Sequence, residues 1–144
     1  MSQAIRPIRS SRIPQRDLEA LILRLQETGS GTAAGVQRRG SQRLPFHARN
    51  VPVEVTQSRG ESQQFLVDTY SLSTGGVAFV HGGYLHNGTR LVFQLPTRDN
   101  AWQTLAARVV RCRHVERGLH DVGAAWVDRD EPLELTLFVD VLAR

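Results

Sequence analysis

The feature that most constrains the fold is a change in the spacing of apolar residues along the chain. From residue 51 onward they recur at every second position, as in Val51, Val53 and Val55. Successive side chains of a β-strand point to opposite faces, so this spacing is typical of strands with one buried face. Strands are predicted around residues 51–55, 65–68, 76–80, 91–95, 105–113 and 121–127. Six short strands with glycine-rich turns predict a mainly β fold, a small six-stranded antiparallel barrel.

Before residue 51 the apolar spacing is that of a helix. Pro14 suits a first helical turn, and an apolar stripe follows at spacings of three and four: Leu18, Leu21, Ile22 and Leu25. We expect a helix over about residues 14–27 whose stripe packs on the barrel or on a second copy of the chain, which would make a homodimer. Docking of a receptor on this helix is the alternative.

The remaining segments complete the predicted organisation. The stretch ETGSGTAAG, residues 27–35, has little to bury and predicts a flexible linker. Residues 1–35 would then form a basic arm, helix and linker, and residues 36–144 the barrel domain. Near the end of the chain, Asp128 or Asp130 can cap a helix that begins at Pro132. A short C-terminal helix is predicted, with an apolar face formed by Leu133, Leu137, Phe138 and Val141.

The distribution of charge limits where an anionic partner could bind. All 18 basic residues are arginine, an outcome that codon bias explains better than selection for arginine chemistry. Residues 1–50 hold nine arginines and three acids, a net charge of +6, whereas residues 51–144 hold nine and eleven, a net charge of −2. An anionic partner is therefore expected at the N-terminal third.

Other classes of function receive little support. The single cysteine, Cys112, cannot form an internal disulfide, and the N-terminus lacks the apolar core of a signal peptide. No apolar stretch is long enough to span a bilayer, so we expect a soluble, cytoplasmic protein. The chain's histidines show no metal-ligand spacing: His47, His81, His86, His114 and His120. A helix start accounts for Asp128, Asp130 and Glu131. We expect no metal and no enzyme.

Two short polar stretches stand beside predicted strands. RRGSQR, residues 38–43, places three arginines before the first strand, and SLSTGG, residues 71–76, follows a strand with hydroxyl residues and two glycines. The RxxxR spacing of Arg39 and Arg43 decides nothing alone, because chance gives about two such pairs in this composition and the chain has three. Together with the hydroxyl-glycine turn and a strand ending in VGAAW, it predicts one anion site.

This combination resembles the PilZ domain, a bacterial receptor for the second messenger cyclic di-GMP. The family signature is RxxxR ahead of the first strand and (D/N)xSxxG at a strand turn, which RGSQR and SLSTGG resemble here. Downstream, VVRCRHVERGLHDVGAAW resembles the family's late hairpin, with Gly123 at a usual glycine and Trp126 where phenylalanine is usual. The resemblance covers residues 36 to about 142. It implies a receptor that changes conformation and signals to a separate effector, such as motility, pilus or exopolysaccharide machinery.

The resemblance also implies a set of ligand-binding residues. Arginine's planar fork pairs with phosphate or with the guanine edge through two hydrogen bonds, and it stacks on purine rings. The predicted cyclic di-GMP site comprises Arg38, Arg39, Arg43, Ser71, Ser73, Gly75 and Gly76. Ser71 stands where the family has Asp or Asn to accept hydrogen bonds from guanine. Serine offers a single neutral oxygen there.

Two other functions stay open. Family members with degenerate motifs often bind no nucleotide and act through protein contacts, so a ligand-independent adaptor is one alternative. The basic third could instead be a nonspecific nucleic-acid clamp. Against the clamp, the two tyrosines, two tryptophans and five phenylalanines form no stacking stripe. Specific nucleic-acid binding is therefore not expected.

Overall fold

The computed structural model describes residues 7–36 and 43–138, and of residues 28–36 it describes the backbone alone. The strands are β1 (Ile8–Arg9), β2 (Arg43–Pro45), β3 (Val51–Thr56), β4 (Ser62–Ser73), β5 (Gly76–His81), β6 (Arg90–Pro96), β7 (Trp102–Glu116) and β8 (Leu119–Trp126), and the helix is α1 (Gln15–Val36). All six strands predicted from the alternating pattern are present.

Six of the strands close into an antiparallel barrel. Their order is β4, β3, β6, β7, β8 and β5, with β5 pairing back to β4. The two remaining strands are short and pair with the long β4, β1 in parallel and β2 antiparallel. Since β2 and β5 both pair with the second half of β4, they lie on its opposite sides. The predicted six-stranded barrel is confirmed.

Apolar residues of alternating positions fill the barrel. Phe79 and Phe93 lie at its centre, fully buried, with ring centroids 5.3 Å apart in an edge-to-face arrangement. Trp126 meets Phe93 in the same way at 6.1 Å. Such pairs contribute roughly 0.5–1.5 kcal/mol beyond the area they bury. The alternation that identified the strands thus also identifies which side chains face inward.

Helix α1 packs on the outside of this barrel. The four residues of its predicted stripe are buried against a set of outward-facing residues: Tyr70, Ala78, Val80 and Leu119. The stripe is therefore covered by the chain's own barrel, and it is not available as the surface of the predicted homodimer.

None of the described helices combines the length and the apolar character that crossing a bilayer requires.

The helix is longer than its apolar stripe predicted. It continues to Val36, so the backbone of residues 27–35 is helical where we predicted a flexible linker. Gly and Thr are weak helix formers, but adding a residue to a helix that packing has already nucleated costs far less than starting one. The linker prediction is wrong for this reason.

The predicted C-terminal α-helix is also wrong within the described residues. Only a single 3₁₀ turn forms, at Leu135–Leu137, and Leu133 lies before it in irregular backbone. The amide of Leu133 donates to the carbonyl of Thr74 at 3.1 Å, so tertiary contact replaces the first helical turn. Leu135 is buried and Leu137 is 43% exposed, which reverses part of the predicted apolar face. Val141 lies outside the described residues.

Candidate functional site

Strand β2 brings Arg43, the last residue of the arginine stretch, beside the hydroxyl-glycine stretch. Arg43 lies opposite Ser73 in the ladder between β2 and β4, and Pro45 lies opposite Ser71. Directly opposite residues share one face of a sheet. Arg43, Ser71 and Ser73 therefore present their side chains on the same outer face of the barrel. Arg38 and Arg39, predicted for the same site, lie outside the described residues.

These residues line a cleft of about 250 Å³ on the outer face. All the predicted site residues that the structure describes border it: Arg43, Ser71, Ser73, Gly75 and Gly76. The cleft also has a wall that the motifs did not predict, formed by Val110, Arg111, Gly123 and Ala125. This volume lies below the roughly 300–1,000 Å³ that is usual for pockets enclosing a whole small-molecule ligand.

Ser73 shapes the turn at one end of the cleft. Its Oγ accepts hydrogen bonds from the amides of Gly76, at 2.9 Å, and Gly75, at 3.2 Å. A serine oxygen that caps nearby amides is a common device of tight turns. The hydroxyl is thus engaged by its own turn. Ser73 holds the shape of the cleft here, and the contact of its hydroxyl with a ligand stays a prediction.

Trp126 fixes the same turn from the neighbouring strand. Its amide donates to the carbonyl of Gly75 at 2.9 Å, and its indole Nε1–H donates to the carbonyl of Ser73 at 3.3 Å. A Cβ added at Gly76 would lie 2.0 Å from the carbonyl oxygen of Ala124, so only glycine fits there. The turn is therefore a rigid edge of the cleft, held in place before any ligand arrives.

Ser71 differs from Ser73 in what its side chain meets. It is partly exposed, and its hydroxyl has no hydrogen-bond partner in the part of the chain that the structure describes. The same holds for the guanidinium of Arg43, which is exposed at the other side of the cleft. Polar groups without internal partners are the ones able to bond a ligand at no cost to the fold. Ser71 and Arg43 are such groups.

Two β-bulges direct extra side chains toward this face. In β4, Thr69 pairs with Phe79 and Ser71 pairs with Ala78, so Tyr70 is an extra residue and joins Ser71 on the outside. In β7, the ladder to β8 shifts in the same way between Val109 and Arg111. A bulge inserts one residue and re-aims its neighbours. As a result Val110, 52% exposed, and Arg111 both line the cleft.

Arg111 supplies fixed positive charge inside the cleft. Its Nη1 donates to Oδ2 of Asp121 at 3.0 Å, and its side chain is 40% exposed. Burial alone would lower the pKa of Arg111, but the adjacent carboxylate of Asp121 and the hydroxyl of Tyr70 outweigh it and raise this pKa. The guanidinium therefore stays charged.

Gly123 makes room for that guanidinium. A Cβ added there would lie 3.0 Å from Nη2, 3.2 Å from Nε and 3.3 Å from Cζ of Arg111, so the planar group lies flat over the glycine. Sequence analysis missed Arg111 and Val110, because alternation does not reveal a bulge. The available signal was Gly123 itself, since glycine within a strand often marks a close approach of another group.

The remaining polar residues play other parts. In the described residues no cluster of His, Cys, Asp and Glu could hold a metal ion. Cys112 lies in β7, partly buried, and its Sγ accepts a hydrogen bond from the amide of Leu85 at 3.4 Å. Asp128 has a φ of 60° and pairs with Arg90 at 3.4 Å, so it caps no helix.

Comparison with known proteins identifies the family. A model of the PilZ domain matches residues 37–140, well over half of the chain, and the chain belongs to this family. No curated protein sequence matches it. The structure of the Bacillus subtilis inhibitor of motility (MotI/DgrA) is similar over 64% of this chain and 43% of that chain, with 21% sequence identity and a TM-score of 0.47. The chain thus spans less than half the length of that protein.

Proposed function

We propose that this protein is a cyclic di-GMP receptor that changes conformation when the nucleotide binds and signals to a separate effector protein. The observation that carries the proposal is the convergence of Arg43, Ser71 and the Ser73–Gly76 turn on one cleft. PilZ domains are a family of cyclic di-GMP receptors, and these are the places of the family's two motifs. A cytoplasmic location is part of the proposal.

The chemistry of the cleft suits a cyclic dinucleotide. Arg43 and Arg111 lie on opposite walls, and both guanidinium groups can meet a phosphate or a guanine edge with paired hydrogen bonds. Between them the floor consists of small residues, Gly76, Ala78 and Gly123, which let a flat base approach the backbone. Val110 adds an apolar surface for ring packing. Arg38 and Arg39 belong to this proposed site as further cations.

One observation favours a second function, that of an adaptor that binds no nucleotide. Ser71 occupies the acidic or amide place of the motif, and it lies in the cleft where that residue would face the ligand. A serine offers a guanine edge one neutral acceptor where a carboxylate offers two charged ones. On this reading the barrel and helix α1 are docking surfaces and the cleft stays empty.

Calorimetric titration with cyclic di-GMP separates the two functions, with GTP and cyclic di-AMP as controls. We expect saturable heat for cyclic di-GMP alone. Arg43→Ala should abolish the heat yet cost less than about 1 kcal/mol of stability, because exposed charges contribute little to folding. Arg59→Ala, an exposed arginine outside the cleft, should bind as the wild type does. A stably folded wild type that gives no heat would contradict the receptor and leave the adaptor.

A further inference from the structure

Three side chains connect the wall of the cleft to the surface under helix α1. Asp121, on β8, accepts hydrogen bonds from the Oη of Tyr70 at 2.6 Å and from Nη1 of Arg111 at 3.0 Å. Arg111 lines the cleft, and Tyr70 belongs to the apolar cluster on which α1 packs. The chain of contacts from cleft to helix therefore has a single carboxylate at its centre.

Asp121 depends on its donors, because it is 1% exposed. A buried carboxylate is tolerated only when it is paired and hydrogen-bonded, and its partners together offset the free-energy cost of burying the charge. Besides Tyr70 and Arg111, only Arg113 is placed to help among the described residues, with its Nη2 3.2 Å from the same carboxylate. A change in what Arg111 bonds would therefore alter the hydrogen bond that Tyr70 donates to the same carboxylate.

Tyr70 in turn supports the helix by two routes. Its side chain is 6% exposed within the cluster that buries Leu21 and Leu25, and its carbonyl accepts a hydrogen bond from Nε2 of Gln26 at 3.0 Å. Burial, with the adjacent charge of Asp121, raises the pKa of Tyr70 to about 12. The phenol therefore remains a donor to Asp121 across the neutral range.

We infer that the Arg111–Asp121–Tyr70 cluster couples occupancy of the cleft to the packing of α1. An anionic group of the ligand competes with Asp121 for the guanidinium of Arg111. Asp121 then loses a donor, its bond to Tyr70 is disturbed, and the packing of α1 on the barrel weakens. The consequence is exposure of the apolar stripe of α1, which gives an effector protein a surface that the unliganded protein hides. This inference rests on the proposed function for the identity of the ligand.

Hydrogen exchange of the α1 amides tests the cluster first without ligand. Arg111→Ala should accelerate exchange across residues 18–26 roughly tenfold, the effect of losing a hydrogen bond to a charged group. Arg111→Gln, which keeps a neutral donor, should give a smaller acceleration and guards against a fold lost in the alanine variant. Arg108→Ala, exposed on the same strand and without contact to Asp121, should leave α1 unchanged. Equal exchange in the Arg108 and Arg111 variants would overturn the inference.

The second arm adds saturating cyclic di-GMP to the wild type. We expect faster exchange in α1, and no further change when the ligand is added to Arg111→Ala. Bound ligand with unchanged or slower exchange in α1 would refute the coupling even if the receptor function holds. Absence of calorimetric heat, with the Arg111 effect intact, would instead refute cyclic di-GMP as the ligand and leave the cluster's link to α1 established.

Discussion

The outer face of β4, β5 and β8 is divided into two halves that differ only in their side chains. The helix-covered half carries Tyr70, Val80 and Leu119, each at most 6% exposed beneath α1. The open half, which forms the cleft, carries Ser71, Gly123 and other small residues on the same strands. A sheet face of large apolar residues is stable only when covered. A face of small residues flanked by Arg43 and Arg111 leaves room for a ligand in place of a helix.

Ala78 marks the border between the halves. It belongs to the cluster beneath α1 and also lines the cleft, opposite Ser71 in the ladder. The bulge at Tyr70 places one residue on each side of this border, since Tyr70 faces the helix and Ser71 faces the cleft. Neighbouring positions in the chain thus serve different surfaces. The two halves are physically joined, which allows each to be perturbed while the other is measured.

The largest effect is expected from Gly76→Ala, at the edge of the open half. The new Cβ would lie 2.0 Å from the backbone oxygen of Ala124, so strand β5 must move away from β8. We expect a loss of at least about 3 kcal/mol in the free energy of unfolding, because backbone yields less than a side chain does. Denaturant unfolding measures it.

Gly83→Ala is the matched control for that substitution. Its Cβ would lie 3.6 Å from the ring of His81, an ordinary contact, so stability should change by less than about 0.5 kcal/mol. Equal midpoints for the two variants would show that the turn is not the rigid edge that the close approach implies. The open half would then be shaped by its ligand.

The helix-covered half is broken most directly by Leu21→Ala. Leu21 is 2% exposed in the α1 cluster, and truncation of a buried leucine costs roughly 2–5 kcal/mol. We expect about 3 kcal/mol in denaturant unfolding. Leu23→Ala, on the same helix but 60% exposed, should cost less than about 0.5 kcal/mol. A small effect at Leu21 would mean that α1 hardly contributes to the stability of the barrel.

Acid should weaken the contact between Ser10, which precedes α1, and His81, at the end of β5. The Oγ of Ser10 accepts a hydrogen bond from the amide of Gly82 at 2.7 Å and lies within hydrogen-bond distance of Nδ1 of His81, also at 2.7 Å. Burial, with the charge of His120, lowers the pKa of His81 from 6.5 to about 4. The unfolded chain therefore binds the proton more tightly, and stability is lost as pH falls from about 6.5 toward 4.

Between pH 7 and pH 5 this loss should amount to about 2 kcal/mol of unfolding free energy. His81→Gln should remove that part of the pH dependence, whereas His86→Gln, at an exposed histidine, should preserve it. Unfolding curves at several pH values measure the difference. If the unfolding free energy of His81→Gln depends on pH as that of the wild type does, the acid sensitivity belongs to other groups. The contact of His81 with the segment after β1 would then not be its cause.

The halves also differ in how well sequence predicted them. The stripe of α1 and the alternation of the strands gave the barrel and its covered face, because burial imposes a period that apolar residues reveal. The motifs gave Arg43 and the Ser73 turn. Arg111 was not predicted as a residue of the cleft, because a bulge changes which side chains of a strand face outward without changing the composition of the strand. The end of α1 and the 3₁₀ turn were not predicted either, since tertiary contacts there override local propensity.

Ser71→Asp gives the smallest expected effect. It tests whether Ser71, beside the border between the halves, faces the guanine edge of the ligand. A guanine edge presents two adjacent donors, and a carboxylate accepts both, whereas the hydroxyl of Ser71 accepts one. Hydrogen bonds to a charged acceptor contribute roughly 1.5–3 kcal/mol, against about 1 kcal/mol for a neutral one, so about tenfold tighter binding of cyclic di-GMP is expected.

Two charges in the cleft decide the sign of that effect. The added carboxylate repels the ligand's phosphates, but Arg43 and Arg111 line the same cleft and offset much of this repulsion. Ser71→Asn, which brings an acceptor without a charge, should give a smaller gain in the same calorimetric titration. If Ser71→Asp weakens binding while Arg43→Ala abolishes it, the nucleotide does occupy the cleft. Its guanine edge then lies away from Ser71, toward the wall that Arg111 and Val110 form.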